Sequence, residues 1–323
     1  MKKRLLSVAL ALSMIFTISS ITAKAVDSPT NSELVIDIPY VYPVVPGTDA
    51  WAELPDNLAM MSVCQIPEEL LYSMTTDALM QTVLDCPLFS DILAYDSFEE
   101  GFSVFSSWFN GLQELLSRPD AEETVISYLP TENTLRANQD PEKTVKWLYS
   151  GLILKSLTGS EEQKAVPLYL RRDYVDTPNG TPVEVIVGYT FEEHDPLWEQ
   201  ILEFEDESYS RNYPDSIELA EASLEYNCHS YAWYWPSILN DCWMKQPDAY
   251  IEDGSYDETN NPSAMDRVLY RTTRGGITHS ALVVSTSSGK VMVESKWGFG
   301  KLYKHEVDKC PYKERDITYW TLA

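Results

Sequence analysis

The chain has 323 residues, 44% of them hydrophobic, and sets 50 acids against 24 Lys and Arg for a formal net charge of −26. That balance argues against nucleic acid as a partner, since a polyanion is bound through basic side chains, and against electrostatic adhesion to anionic membranes or walls. The length suits two domains of ordinary size, at roughly 100–200 residues each.

Lys2, Lys3 and Arg4 lead into an apolar stretch from Leu5 to about Ile21, followed by Ala23-Lys24-Ala25. A basic start, a short apolar run and a small-residue cleavage site mark residues 1–25 as a secretory signal peptide. The mature chain is expected to begin near Val26 and to be secreted and extracellular. Its charge is −30, because the leader removes four basic residues and no acid. No later stretch reaches the ~20 apolar residues of a membrane span, so no membrane partner is expected after cleavage.

Residues 26–55 carry Pro39, Pro43, Pro46 and Pro55 with few periodic apolar positions, and read as an extended lead-in. Helices are expected over residues 56–160. Pro67-Glu68-Glu69 suits a first helical turn, where proline's missing N–H costs nothing and acids meet the positive helix end. Ser97 and Glu100 fit a capping box. The run that follows places Phe102, Phe105, Trp108, Phe109, Leu112 and Leu116 at helical spacing. A further helix starts at Asp140-Pro141-Glu142, aligns Val145, Leu148 and Leu152, and stops before Gly159. These residues form a small helical domain whose function the sequence does not indicate.

From Val166 the period changes to two. PLYLRRDYV and VEVIVGYT flank Asn179-Gly180, which supplies the positive φ angles of a tight hairpin. Pro196 to Phe204 reads as a helix. The acidic run Glu203–Glu207 reads as a solvated face or loop, and so does DGSYDETNN from Asp253, which lacks the glycine and glutamate placement of a calcium-binding EF-hand.

EYNCHSYAWYW, from Glu225, sets Asn227 as a helix N-cap directly ahead of Cys228, with Pro236 as the stop. A thiol in a first helical turn sees the positive helix end and free N–H groups, which favour a nucleophilic thiolate. Five cysteines, Cys64, Cys86, Cys228, Cys242 and Cys310, leave at least one unpaired within a monomer. Pairing Cys64 with Cys86 and Cys242 with Cys310 would leave Cys228 free. A disulfide from Cys228 to Cys242 is the competing structural reading.

A cysteine nucleophile needs a base, and there are four histidines. His194 lies in an acidic FEEHDP loop and His305 in a charged stretch, both read as solvated. His229 adjoins the cysteine, but neighbours on a helix diverge by about 100°. His279 opens the strand SALVVS, which turns at Ser287-Ser288-Gly289 and returns as VMVES, so His279 is the expected base. A two-residue turn would pair Val283 with Glu294 and set Glu294 and Lys296 on the face of His279; a three-residue loop would pair Ala281 with Ser295 instead. Glu294 is taken as the third member, because a carboxylate favours the imidazolium, with Ser295 and Lys296 as alternatives. The Cys228 N–H, assisted by the Asn227 or Tyr226 side chain, is the expected oxyanion contact.

Asn-Cys at a helix start, Thr-His-Ser-Ala on a strand fifty-one positions on, and a polar residue on the next strand resemble the NlpC and CHAP-like, papain-like cysteine amidase and peptidase superfamily. The likeness covers roughly residues 215–315. It implies Cys228 as nucleophile, His279 as base, a polar third member and a helix packed on an antiparallel sheet. The chain departs from it in placing His229 and aromatics where small residues usually follow the cysteine. The expected fold is α+β: the helical domain, then a papain-like domain over residues 166–323. The expected activity is hydrolysis of amide bonds, with peptides or peptidoglycan-derived fragments as substrate. No cofactor and no metal are expected, as C-x-x-C and H-E-x-x-H spacings are missing. The rival is a secreted binding or structural protein on the same scaffold without chemistry.

Overall fold

A computed structural model describes residues 35–131, 134, 138–159, 171–188, 196–314 and 316–323. The expected leader, the PLYL half of the first strand and His194 lie outside the described residues. Val35–Ala323 form one compact unit.

Helices come first: α1 (Asp49–Ala52), α2 (Asn57–Val63), α3 (Glu68–Leu71), α4 (Thr76–Leu84), α5 (Phe98–Trp108), α6 (Asn110–Ser117), α7 (Ala121–Tyr128) and α8 (Pro141–Thr158), with a 3-10 turn at Phe89–Ala94. Asp56, Thr75, Ser97 and Asp140 each accept a first-turn backbone N–H with the side chain, satisfying a donor that has no partner within the helix. Gly159 ends α8 at φ 62°, a left-handed conformation that glycine adopts without strain.

The run expected as one helix to Leu116 breaks at Phe109, whose backbone is extended. Asn110 accounts for the break. Its side chain accepts from Ile66 N at 3.0 Å and donates to Ile66 O at 2.7 Å, a paired bond that competes with helix continuation.

The second half is built from β1 (Arg171–Asp176), β2 (Pro182–Val187), α9 (Pro196–Asn212), β3 (Ile217–Ala220), α10 (Cys228–Trp233), β4 (Cys242–Met244), α11 (Asp248–Glu252), β5 (Tyr256–Thr259), β6 (Arg267–Arg271), β7 (Ile277–Ser287), β8 (Lys290–Lys296), β9 (Leu302–Glu306) and β10 (Asp316–Leu322). A seven-stranded sheet runs β3-β9-β8-β7-β6-β10-β5, and a three-stranded sheet runs β1-β2-β4. Neighbouring strands pair antiparallel. The chain is therefore α+β.

Three expectations change. The β1–β2 hairpin turns tightly, with Gly180 N donating to Thr177 O at 2.9 Å and Thr177 N to Thr181 O at 2.9 Å, but only Gly180 takes a positive φ, at 86°, and Thr177 Oγ1 also bonds Asp253 and receives Thr181 N. The acidic run 203–207 is helical, within α9, and buries Glu205. The acidic stretch after Asp253 contains β5, an edge strand paired with β10.

The large sheet has two covered faces. Val268, Tyr270, Ala281, Val283, Val293 and Tyr303 enter the core shared with α4–α8. Leu269 and Ile277 enter a second core with Ala232 and Trp233 of α10 and Val183, Val185, Cys242 and Met244 of the small sheet. Strand alternation fixes which residue faces which layer.

The β7–β8 register is decisive here. Ser288 (φ 53°) and Gly289 (φ 80°) form a two-residue turn, with Ser287 opposite Lys290. A bulge between Val283 and Ser285 then slips the pairing by one, so that Leu282 faces Glu294. One extra residue in one strand is all a bulge needs. The two-residue turn thus leads to the pairing expected from a longer loop.

Candidate functional site

Cys228 is the first residue of α10 and is 2% exposed. Its start is fixed by Asn227, whose Oδ1 accepts from Ser230 N at 3.1 Å while Ser230 Oγ accepts from Asn227 N at 3.3 Å. Asn227 does more than cap. Its Nδ2 donates to Asp96 Oδ2 at 2.7 Å and to Met244 O at 2.8 Å, and its Oδ1 also accepts from Met244 N at 3.2 Å. Both amide hydrogens are spent, so Asn227 is a positioning residue with no donor left for an oxyanion.

The Cys228 sulfur, a His229 ring nitrogen and an Asp96 carboxylate oxygen all lie within 4.8 Å of one another. His229 Nδ1 pairs with Ser280 Oγ at 2.7 Å, and the same hydroxyl accepts from Trp233 Nε1 at 2.9 Å. His229 is therefore the imidazole grouped with Cys228, against the expectation from helix angles. Ser280 on β7 holds the ring in that position.

Electrostatics keep the thiol and the imidazole neutral at rest. Burial pushes the Cys228 thiol well up, with Asp96 adding to it, while backbone N–H groups of Ser280 and His229 donate to the sulfur and oppose the shift. Burial takes His229 down to about 4 and Asp96 up to about 6. Glu100, further into the same acidic patch, is raised to about 8 by burial and then by Asp96 and Glu314.

His279 lies elsewhere. It alternates with Ser280 and shares its side of β7 with Ala281 and Val283, the helical-layer face. Its ring stacks on Tyr312 at 3.4 Å and 10°, with Tyr270 at 5.0 Å. It is fully buried, and neither ring nitrogen has a hydrogen-bond partner among the described residues. Burial, with Cys228 and Asp96 adding to it, raises the Tyr312 hydroxyl well above its usual value.

The bulge sets Glu294 on the opposite face from His279, where it accepts from Tyr231 Oη of α10 at 3.1 Å. Ser295 shares the His279 face but bonds His305 Nε2 at 2.8 Å and receives Trp297 Nε1 at 3.1 Å. His305, expected in solvent, is 1% exposed. Lys296 is buried, donates to the Gly298 and Gly300 carbonyls, and lies 5.6 Å from the Tyr226 ring centre; burial lowers it to about 8. Tyr226 is 1% exposed and its hydroxyl has no partner among the described residues. The structure thus assembles Cys228, His229, Asp96, Asn227 and Ser280. It does not bring Glu294, Ser295 or Lys296 to His279 as an orienting group.

All five cysteines are reduced and buried. Cys64 and Cys86 are side-chain neighbours within hydrogen-bonding reach, whereas Cys242 Sγ bonds Asn240 and Cys310 Sγ bonds Val307 O and Tyr312 O. No helix among the described residues is long and apolar enough to cross a membrane. The chain matches no protein-family model, no curated protein and no solved structure.

Proposed function

We propose that the protein is a secreted, papain-like cysteine amidohydrolase that acts on peptide amides, including those of peptidoglycan fragments, through an acyl-enzyme on Cys228. One observation carries the reading: a reduced sulfur grouped with the His229 imidazole and approached by two backbone N–H groups. His229 takes the thiol proton as sulfur attacks the carbonyl carbon, and returns it to the leaving amine as the C–N bond breaks. Water then hydrolyses the thioester, releasing the acid and regenerating the thiol. Ser280 on Nδ1 orients the ring, and the N–H groups of His229 and Ser280 are the donors proposed for the developing oxyanion. The charge of the mature chain disfavours nucleic acid and anionic membranes as partners.

A second reading, a binding protein on the same scaffold without chemistry, is favoured by the 2% exposure of Cys228 and its neutral thiol. The test is turnover of a panel of peptide amides and peptidoglycan peptides by the mature chain in chelator, with hydroxylamine to trap the thioester. The hydrolase reading expects hydroxamate formation that Cys228→Ala abolishes with folding intact. Turnover that survives Cys228→Ala refutes the Cys228 mechanism, and no cleavage with no hydroxamate across the panel refutes the hydrolase reading in favour of the binding protein.

A further inference from the structure

We propose that Asp96, Cys228 and His229 form a binding site for one borderline divalent transition ion, zinc(II) foremost, which holds Cys228 in a blocked thiolate form. The inference goes beyond the hydrolase reading and does not depend on it. The argument begins with the shape of the group. In a nucleophile–base–orienter relay the imidazole stands between the other two, one on each ring nitrogen. Here Nδ1 is taken by Ser280, and the carboxylate lies within 4.8 Å of the sulfur as well as of the ring. The three donors form a triangle about a common point, as ligands do.

The donor set suits the ion. Thiolate, imidazole and carboxylate are the three zinc ligand types, and three protein ligands with one open position is the arrangement of non-structural zinc sites. Around a tetrahedral ion with Zn–S near 2.3 Å and Zn–N near 2.0–2.1 Å, donors stand roughly 3.5 Å apart. The observed limit of 4.8 Å requires closure by at most about 1.3 Å on that figure. Two anionic ligands neutralise a dication, which suits a buried site better than a lone thiolate.

The surroundings supply what ligands of this kind use. Asn227 Nδ2 holds Asp96 Oδ2, leaving Oδ1 for an ion. Ser280 Oγ already accepts from Trp233 Nε1 and has a second lone pair for an Nδ1–H of His229. That tautomer leaves Nε2 bare. Outer hydrogen bonds of this kind fix ligand orientation in metal sites, and losing one weakens binding about 10–100-fold. Metal binding displaces the thiol proton, which is released to solvent as the S–Zn bond forms.

The test uses the full mature chain stripped with chelator, titrated with zinc(II) alone by calorimetry and with cobalt(II) for thiolate-to-metal absorption. The expected result is one ion per chain, with cobalt–thiolate absorption, loss of Cys228 alkylation by iodoacetamide at one equivalent, and its return on chelation. Cys228→Ser, Asp96→Asn and His229→Gln should each abolish the one-ion step, Ser280→Ala should weaken it about 10–100-fold, and Cys242→Ser should leave it intact. Circular dichroism confirms that each variant folds. No stoichiometric binding, or binding that survives in folded Asp96→Asn and His229→Gln, overturns the site. Failure here leaves the hydrolase reading standing, because turnover is measured in chelator.

Discussion

Lys313 ties the C-terminal segment to the helical layer, and replacing it tests whether that tie positions the Asp96 loop. Its ammonium lies 3.0 Å from Asp91 Oδ2, with both side chains 2% exposed. It donates to Tyr213 Oη at 2.7 Å, Cys310 O at 2.9 Å and Asn57 Oδ1 at 3.2 Å. Tyr213 donates in turn to Asp91 at 2.7 Å. Burial still raises the Asp91 carboxyl to about 6 against the pull of Lys313. The adjacent Tyr312 donates to Ala94 O, two residues from Asp96. Lys313→Met leaves a buried carboxyl without its cation, a loss of about 3–5 kcal/mol. For the roughly 265 described residues, with an unfolding entropy near 2.1 cal/mol/K each, Tm falls by about 5–9 °C. Removing both charges, in Asp91→Leu with Lys313→Met, recovers most of that loss. Thermal unfolding at pH 7 reads both numbers, and the single variant should also label faster at Cys228. A Lys313→Met protein that melts within about a degree of the parent, or a double variant as unstable as the two singles summed, refutes the argument.

Gly298 sits at φ 51°, and a Cβ there would lie 2.6 Å from Leu93 O and 2.8 Å from Ala94 C; Gly298→Ala is expected to cost at least about 2 kcal/mol, checked by denaturant unfolding. Asn227→Ala removes the cap and the bond to Asp96, with an expected loss of about 1–3 kcal/mol and faster alkylation of Cys228, so an unchanged labelling rate counts against its positioning role. Burial raises Glu205 to about 8, above its unfolded value. The folded chain then holds a proton that the unfolded chain releases, and stability falls as pH rises from about 4.3 towards 8. Glu205→Gln should therefore gain on the parent by about 3 kcal/mol between pH 4.5 and 7, and a pH-independent difference in Tm would exclude this.

What the sequence makes legible is local. Asn227 and Ser230 define the start of α10 within four residues, and Asp140-Pro141 with Gly159 brackets α8, because capping and left-handed glycine act through adjacent backbone groups. What stays hidden is set at a distance. Asp96 reaches the site from the helical half, 132 positions before Cys228, and nothing in LAYDSFEE announces it. The α5–α6 break depends on Ile66, and the burial of Glu205 depends on its packing within the folded unit. The bulge at Val284 is the sharpest case. Its neighbours give a perfect alternating strand and a correct two-residue turn, yet one unpaired residue exchanges the faces of Glu294 and Ser295.

His279 is the residue on which the two arguments separate. Its side chain buries two polar nitrogens with no partner among the described residues, and burial, with His229 and His305 nearby, holds its pKa well below the ordinary value. An unpaired buried polar atom costs about 1–3 kcal/mol. A phenylalanine keeps an aromatic ring against Tyr312 and removes both atoms, so His279→Phe should raise stability by about 2 kcal/mol and Tm by about 3 °C. Lower stability would mean that the nitrogens have a partner, such as a buried water, and would sink the reasoning. Activity then assigns the role. A more stable variant that still forms the hydroxamate leaves His229 as the base. A more stable variant that loses it shows that the ring is kept for chemistry at a cost in stability.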